Sequence, residues 1–334
     1  MALSISGGGT LSLSAAQRNE RNILARLQQS QARKQLYQDL WDNRRTIEAV
    51  TAHHLRIAGS SACVVQDTDT WFRGQFNICI LVHVQDGDGR TCRKIFRCPM
   101  AHKVGEEYFP GAMQEKMRAE VATFAWIESN CPGIPIPRLH AFGLSNNLQF
   151  THHHDGPGHF RDSSNIEFNR PYLLLDYVDG KKGKMLSDTL NDFRETDPHR
   201  MQNLFRGISR IMVSLAGKAQ SYIGSLRFND DGSITLASRP IFCTNSILES
   251  ESAPRVVNRR YTTSGNFIDD MIRFREEAFR ACPAERSKRR GRLSSTDASH
   301  GLVATLKTSL CRLPVRRAIR TTIYRFSCEQ YLCR

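Results

Sequence analysis

Three features in the first 120 residues could together hold the phosphates of a nucleotide. Residues 74–77 lie between two strand-like segments, and the glycine at their start lets backbone N–H groups approach an anion. Arg97 ends the next strand-like segment, where a cation could grip phosphate oxygens. Glu120 follows on a strongly helical segment and could orient that cation. A bend, a cation and a helix carboxylate in this order predict a nucleotide clamp.

None of these features is specific by itself. A glycine often only turns a hairpin, and an isolated Arg/Glu pair is most often a surface ion pair. Lys94 is a rival cation three residues before Arg97, although strand alternation places it on the opposite face. The hypothesis therefore depends on the order and separation of the three features.

The elements that must position these residues can be read from hydrophobic periodicity. Apolar residues at helical spacing predict helices over residues 36–55, 115–129 and 197–220, the last capped by Asp197. Alternation predicts three strands joined by tight turns over residues 70–97, and two more over 139–144 and 172–178. We expect residues 145–170 to be a polar loop and residues 223–236 to be a hairpin.

This order of elements predicts an α+β fold, with a five-stranded sheet and one helix followed by a helical part. That is the plan of the protein-kinase-like two-lobe fold. We expect a flexible arm over residues 1–35, which could be helical at its end, and a complete N-terminal lobe over 36–180. An incomplete helical C-terminal lobe would follow over 181–283, and a basic tail over 284–334.

The net charge of +14 belongs mainly to the tail. Residues 284–334 hold ten Arg and two Lys against three acidic residues, so the rest of the chain carries only +5. The tail lacks interleaved aromatic residues and any known module, which argues against a nucleic-acid binder. Salt-dependent binding of generic DNA that is lost on deleting the tail would revive that alternative.

Two further compositional signals concern compartment and metals. There is no apolar run of about 18 residues and no basic start before an apolar core, so we expect a cytoplasmic protein without membrane contact. The ten cysteines include no close pair, and we interpret them as small buried thiols. His152, His153 and His154 lie in a polar stretch without a nearby Cys, and we interpret them as solvated rather than metal-binding.

Five segments of the chain resemble the fungal branch of the aminoglycoside-phosphotransferase/choline-kinase-like family, across residues 36–283. They are residues 71–77 (WFRGQFN), 96–99 (FRCP), 115–123 (EKMRAEVAT), 134–137 (IPIP) and 238–240 (SRP). The resemblance implies transfer of the ATP γ-phosphate, with Mg²⁺, to a hydroxyl of a small molecule that the sequence does not identify.

The resemblance also implies roles for individual residues. Gly74, Gln75, Phe76 and Asn77 would cap the phosphates, and Arg97 would take the place of the usual strand lysine, with Glu120 as its partner. Asp176, Tyr177 and Val178 would form the hinge that meets adenine. One departure is large, because no segment reads as the family's catalytic H-G-D-x-x-x-x-N or T-D-x-H-x-x-N loop. We therefore assign no catalytic residue, and expect a chain truncated before that loop.

The tail suggests an origin for this gap. Codons permitted for residues 317–334, read one base later, can encode G-P-F-V-L-Q-F-T-D-F-H-A-S-N-I-F-V-D, which resembles the missing loop. We therefore interpret residues 284–334 as out-of-frame translation, against the alternative of a genuine disordered basic tail. A non-catalytic nucleotide-binding or regulatory remnant is the alternative function.

Overall fold

The computed structural model describes residues 2–5, 9–12, 23–58, 62–85, 87, 89–153, 156–178, 183–251 and 254–281. The strands are β1 (Ala2–Ile5), β2 (Gly9–Ser12), β3 (Cys63–Val65), β4 (Phe72–Arg73), β5 (Asn77–Gln85), β6 (Thr91–Pro99), β7 (Leu139–Gly143), β8 (Gln149–His152), β9 (His159–Asp162), β10 (Tyr172–Asp176), β11 (Ser225–Phe228) and β12 (Ile234–Ser238). The helices are α1 (Ile23–Asp42), α2 (Arg44–His54), α3 (Ala112–Asn130), α4 (Leu186–Phe193), α5 (Pro198–Ala216), α6 (Cys243–Ser250) and α7 (Ser264–Ala281). The mixed α+β class is confirmed.

A large antiparallel sheet organises the molecule, with strand order β3-β5-β6-β10-β7-β8-β9 and with β4 also paired to β5. The predicted meander is confirmed, since β4, β5 and β6 are consecutive antiparallel neighbours. Its longest pairing joins nine residues of β5 to nine of β6, from Asn77 opposite Pro99 to Gln85 opposite Thr91.

The sheet lies between two helical layers because its strands alternate. On β5, Ile78, Ile80, Val82 and Val84 are buried on the face that α1 and α2 cover, where Leu40, Ile47 and Val50 meet them. On β6, Ile95 faces the other way and joins Met117, Val121 and Phe124 of α3. Period-2 strands and period-3.6 helices thus form two separate cores, one on each side of the sheet.

A second hairpin, β11–β12, attaches the helical part to α3. It confirms the hairpin predicted over residues 223–236, and Gly232 in its turn has φ +84°, which favours glycine. Arg118 Nη1 donates to the Phe228 carbonyl at 2.9 Å. The Phe228 ring lies 5.0 and 5.1 Å from the rings of Phe142 and Phe150.

Helix α5 confirms the predicted cap but has little core contact. The Asp197 carboxylate accepts the Arg200 N–H at 2.8 Å, as expected for an N-cap. Leu215 is the buried residue of this helix, whereas Phe205 and Val213 are 60% and 71% exposed. None of the described helices is both long and apolar enough to cross a bilayer.

Three expectations about the elements were wrong. Residues 145–170 are not a loop, because β8 and β9 extend the sheet there. Residues 36–55 form parts of two helices, which break at Asn43, where its side-chain amide donates to the Asp39 carbonyl at 2.7 Å. Residues 2–5 and 9–12 are strands rather than part of a flexible arm, whereas the helix expected at the end of that arm is present over residues 23–35. The tail over 284–334 lies outside the described residues.

Candidate nucleotide site

The predicted bend at residues 74–77 joins β4 to β5. The Gly74 N–H donates to the Asn77 carbonyl at 3.0 Å and closes it. The Phe76 carbonyl accepts the Met100 N–H at 2.7 Å, which ties the bend to the residue after β6. The bend is therefore held over the end of the strand that carries Arg97.

Arg97 and Glu120 form an ion pair, as the sequence predicted. The Glu120 side chain is only 1% exposed, while that of Arg97 is 14% exposed. Burial by itself raises the pKa of Glu120, but Arg97 and Lys116 outweigh it and hold that pKa below its ordinary value. Glu120 is therefore a carboxylate at neutral pH, and it fixes the guanidinium of Arg97.

Lys116 is a second cation that the sequence analysis missed. Its Nζ lies 3.2 Å from Glu120 Oε2 and 5.1 Å from the centre of the Phe76 ring, beside the bend. Two cations against one carboxylate leave this cluster with a net charge of +1. The i,i+4 spacing of Lys116 and Glu120 on one helix was the signal that could have identified it.

Arg97 retains one unused donor. Its Nε is buried and has no acceptor among the described residues, although its Nη2 is bound to Glu120. A buried N–H without an acceptor is uncommon in folded proteins. An anionic oxygen next to Arg97 would satisfy it.

An apolar surface adjoins this cationic cluster. Phe72, Cys79, Leu81 and Tyr177 lie on the same side of the sheet as α3 and are only partly buried. Cys79 is the cross-strand neighbour of Arg97. We call these four residues the open face, because no described helix covers them fully. The flat base of a nucleotide could lie on the open face, with the phosphates of the nucleotide directed toward Arg97.

The three predicted hinge residues lie where β10 ends, with Tyr177 on the open face and Asp176 on the opposite side of the sheet beside Lys94. Asp176 Oδ1 contacts Lys94 Nζ at 2.6 Å and His140 Nε2 at 2.8 Å. Burial favours protonated Asp176, but its bonds to His140 and Lys94 are stronger and lower its pKa well below the ordinary value. Tyr177 stacks under the Arg93 guanidinium at 4.4 Å, and Val178 is 58% exposed.

Lys94 is therefore engaged on the side of the sheet away from Glu120, as alternation predicted. It shares that side with Phe96, which packs in the core under α1 and α2. Arg97 is the cation on β6 that meets the helix carboxylate.

Arg239, from the SRP segment, has a structural position. It is 3% exposed, and its Nη2 donates at 3.0 Å to both Glu115 of α3 and Glu249 of α6. Arg255 adds a 2.6 Å bond to Glu115. This network ties the helical part to α3, and so sets the position of Glu120 one turn further along.

The histidine run does not behave as predicted. His152 is buried rather than solvated, with Nε2 2.7 Å from Glu128 Oε1 and Nδ1 3.1 Å from Arg138 Nη2. His153 is exposed, and His154 lies outside the described residues. The described cysteines are free thiols, of which Cys63, Cys98 and Cys131 are buried.

A groove lies elsewhere, along α5 and beside the end of α4. Its volume is about 810 Å³, and it is lined by Phe205 with Arg194, Arg206 and Arg210. It is shallow and contains no carboxylate or histidine.

Comparison of the chain with known protein families, curated proteins and solved structures found no match.

Proposed function

We propose that this protein carries the ATP-binding half of a small-molecule kinase resembling the aminoglycoside phosphotransferases. The single observation that carries the proposal is the Arg97–Glu120 pair beside the bend at residues 74–77. A cation held by a buried carboxylate keeps its charge and direction without a substrate, and this pre-organisation favours phosphate binding. ATP with Mg²⁺ is the ligand we propose.

Three neighbouring features support this choice of ligand. The cluster of Arg97, Lys116 and Glu120 is net positive, and the buried Arg97 Nε–H has no acceptor among the described residues. The open face offers apolar surface for adenine, with residues 176–178 at its edge as the hinge. The phosphates would then lie under the bend, where Gly74 leaves room for the backbone.

The order of strands also supports the kinase-like two-lobe fold. The sequence β4-β5-β6-β10-β7, with α3 placed between β6 and β7 in the chain, gives a five-stranded sheet and one helix. In this proposal β8 and β9 are an addition at the edge. Helices α4 to α7 and the hairpin β11–β12 belong to the second lobe in this proposal.

The proposal covers nucleotide binding and does not extend to catalysis. Phosphoryl transfer needs an Asp that accepts the substrate proton and further ligands for Mg²⁺. No segment of the 334 residues reads as the loop that supplies them. We therefore propose nucleotide binding without turnover, which is also what a regulatory remnant would show.

Calorimetric titration of the full chain with MgATP tests the proposal. Arg97→Met should weaken MgATP binding about 10- to 100-fold, because it removes charge-assisted bonds to the phosphates. Arg210→Met removes an exposed cation on helix α5, outside the proposed site, and its affinity should stay within about twofold of wild type. Circular dichroism checks that both variants are folded.

Two outcomes would contradict the proposal. One is a wild-type chain that binds no MgATP at millimolar concentration. The other is equal weakening by Arg97→Met and Arg210→Met, which would mean that general charge rather than the clamp attracts the nucleotide.

A further inference from the structure

Two adjacent histidines at the end of α2 converge on one carboxylate at the end of β9. His53 Nε2 lies 3.0 Å from Asp162 Oδ1, and His54 Nδ1 lies 3.5 Å from Asp162 Oδ2. The His54 side chain is fully buried, that of Asp162 is 12% exposed, and that of His53 is 37% exposed. This cluster lies on the α1–α2 side of the sheet, away from the open face.

The hydrogen bonds around His54 show which ring nitrogen carries its proton. Gln149 Nε2 donates to the Ile166 carbonyl at 2.6 Å, which turns Gln149 Oε1 toward the Tyr172 hydroxyl. Tyr172 donates its one proton to that oxygen, at 3.2 Å. His54 Nε2, 2.6 Å from the same hydroxyl, must then be the donor. The unprotonated Nδ1 of neutral His54 therefore points at Asp162.

This leaves more lone pairs than protons at the centre of the cluster. The Thr151 hydroxyl is 2.8 Å from His54 Nδ1 and also donates to Asp162 Oδ2, and it has only one proton for two acceptors. Within the described residues, Asp162 has no Lys or Arg partner in an ion pair. A carboxylate, an imidazole nitrogen and a hydroxyl thus face each other without a cation between them.

We propose that His53, His54 and Asp162 bind a divalent metal ion of the zinc type. Zinc takes imidazole nitrogen and carboxylate oxygen at about 2.0–2.2 Å in a tetrahedron, whose edges are then about 3.4 Å. One ligand atom from each of the three residues lies within 4.8 Å of the others, and His53 and His54 approach the two carboxylate oxygens at 3.0 and 3.5 Å, so small side-chain rotations bring them to that edge. The Thr151 hydroxyl or a water can take the fourth position.

The surroundings of these ligands resemble those of a built metal site. Metal-binding histidines usually donate the other ring N–H to a fixed acceptor, as His54 does to Tyr172. The Ser164 N–H donates to Asp162 Oδ1 at 3.1 Å and orients the carboxylate. The partial exposure of His53 provides a path for the ion. Once bound, the metal would fasten α2 to β9, which lie 109 residues apart in the chain.

Zinc binding to the untagged full chain, after dialysis against a chelator, tests this site. We expect one equivalent of Zn²⁺ by calorimetry and elemental analysis. Co²⁺ in its place should give the visible absorption of a tetrahedral ion. His53→Ala and Asp162→Asn should each weaken Zn²⁺ binding at least 100-fold. Tyr172→Phe, which removes the hydroxyl that bonds to both His54 and Gln149, should weaken it about 10- to 100-fold.

His199→Ala is the matched control, because His199 is an exposed helical histidine far from Asp162 in the chain. It should bind Zn²⁺ as wild type does. The proposal fails if the wild-type chain takes up no Zn²⁺. It fails equally if His53→Ala and Asp162→Asn bind as the control does, since another group would then hold the ion. Circular dichroism checks that both variants are folded. His53→Ala is expected to fold more readily, because the His53 side chain is partly exposed.

Discussion

At the scale of single residues, the candidate clamp is a buried charge cluster rather than a source of stability. A buried ion pair contributes little net stability, since removing both charges from water offsets most of their attraction. What Glu120 does instead is fix Arg97 and Lys116 beside the bend at residues 74–77.

A buried histidine gives a prediction about pH. His159 Nε2 donates to the Leu139 carbonyl at 3.0 Å, while its buried Nδ1 has no partner among the described residues. Burial lowers the pKa of His159 to about 3 from 6.5. As the pH falls, His159 therefore binds a proton in the unfolded chain before it does so in the folded chain. The contribution of His159 to the free energy of unfolding is complete above about pH 6.5 and is lost as the pH drops toward 3.

Between those two pH values His159 should contribute a slope of about 1.4 kcal/mol per pH unit to the free energy of unfolding. Urea denaturation of wild type and His159→Gln at pH 4, 5 and 6 measures it. The glutamine amide can still donate to the Leu139 carbonyl but binds no proton. The free energy of unfolding of the variant should therefore change less steeply with pH, by about 1.4 kcal/mol per pH unit. Equal slopes in the two proteins would show that His159 is protonated in the fold.

At the scale of elements, the sheet is covered on the side away from the clamp by α1 and α2. Leu40 and Ile47 are fully buried there against Ile80 and Val82 of β5. This layer begins before residue 36, inside the segment that composition alone predicts to be an arm. We infer that α1 and α2 are part of the folded core, and that they support β5 from behind.

Truncation of one core residue tests that inference. Leu40→Ala should lower the free energy of unfolding by about 2–5 kcal/mol, through lost burial and the cavity that remains. Phe205→Ala, on the exposed side of α5 at 60% exposure, should change it by less than about 0.5 kcal/mol. Urea denaturation followed by circular dichroism compares the two. Similar values for both variants would mean that α1 does not pack stably on the sheet.

At the scale of the whole molecule, the residues of the proposed nucleotide site lie around helix α3. The Arg97–Glu120 pair and the open face lie on the side of the sheet that α3 covers, whereas Asp176 meets Lys94 on the opposite side. The network around Arg239 joins the helical part to that same helix. The protein is therefore organised around α3, which faces both the sheet and the helical part.

The 334-residue chain should bind MgATP and yet transfer no phosphate. A coupled assay for ADP, with a range of hydroxyl-bearing small molecules, should give no rate above the blank. The Arg97→Met variant controls for a contaminating kinase, whose activity would be the same in both preparations. Turnover by the wild-type chain that Arg97→Met abolishes would show that catalytic groups exist elsewhere.

Strong periodicity allowed much of the molecule to be predicted from its sequence alone. The nine-residue pairing of β5 with β6, helix α3 and the cap at Asp197 follow from local preferences that tertiary contacts reinforce. The Arg97–Glu120 pair could also be predicted, because strand alternation and helical spacing direct both side chains to one side of the sheet.

Only the tertiary structure decided which polar residues are buried. Thr151 and His152 look like loop residues, yet each is buried because a partner far along the chain, His54 or Glu128, satisfies it. The same holds for Asp162, which meets His53 across 109 residues. Local sequence carries no signal for such pairs, since burial of a polar group depends on a hydrogen-bond partner that only the fold brings near.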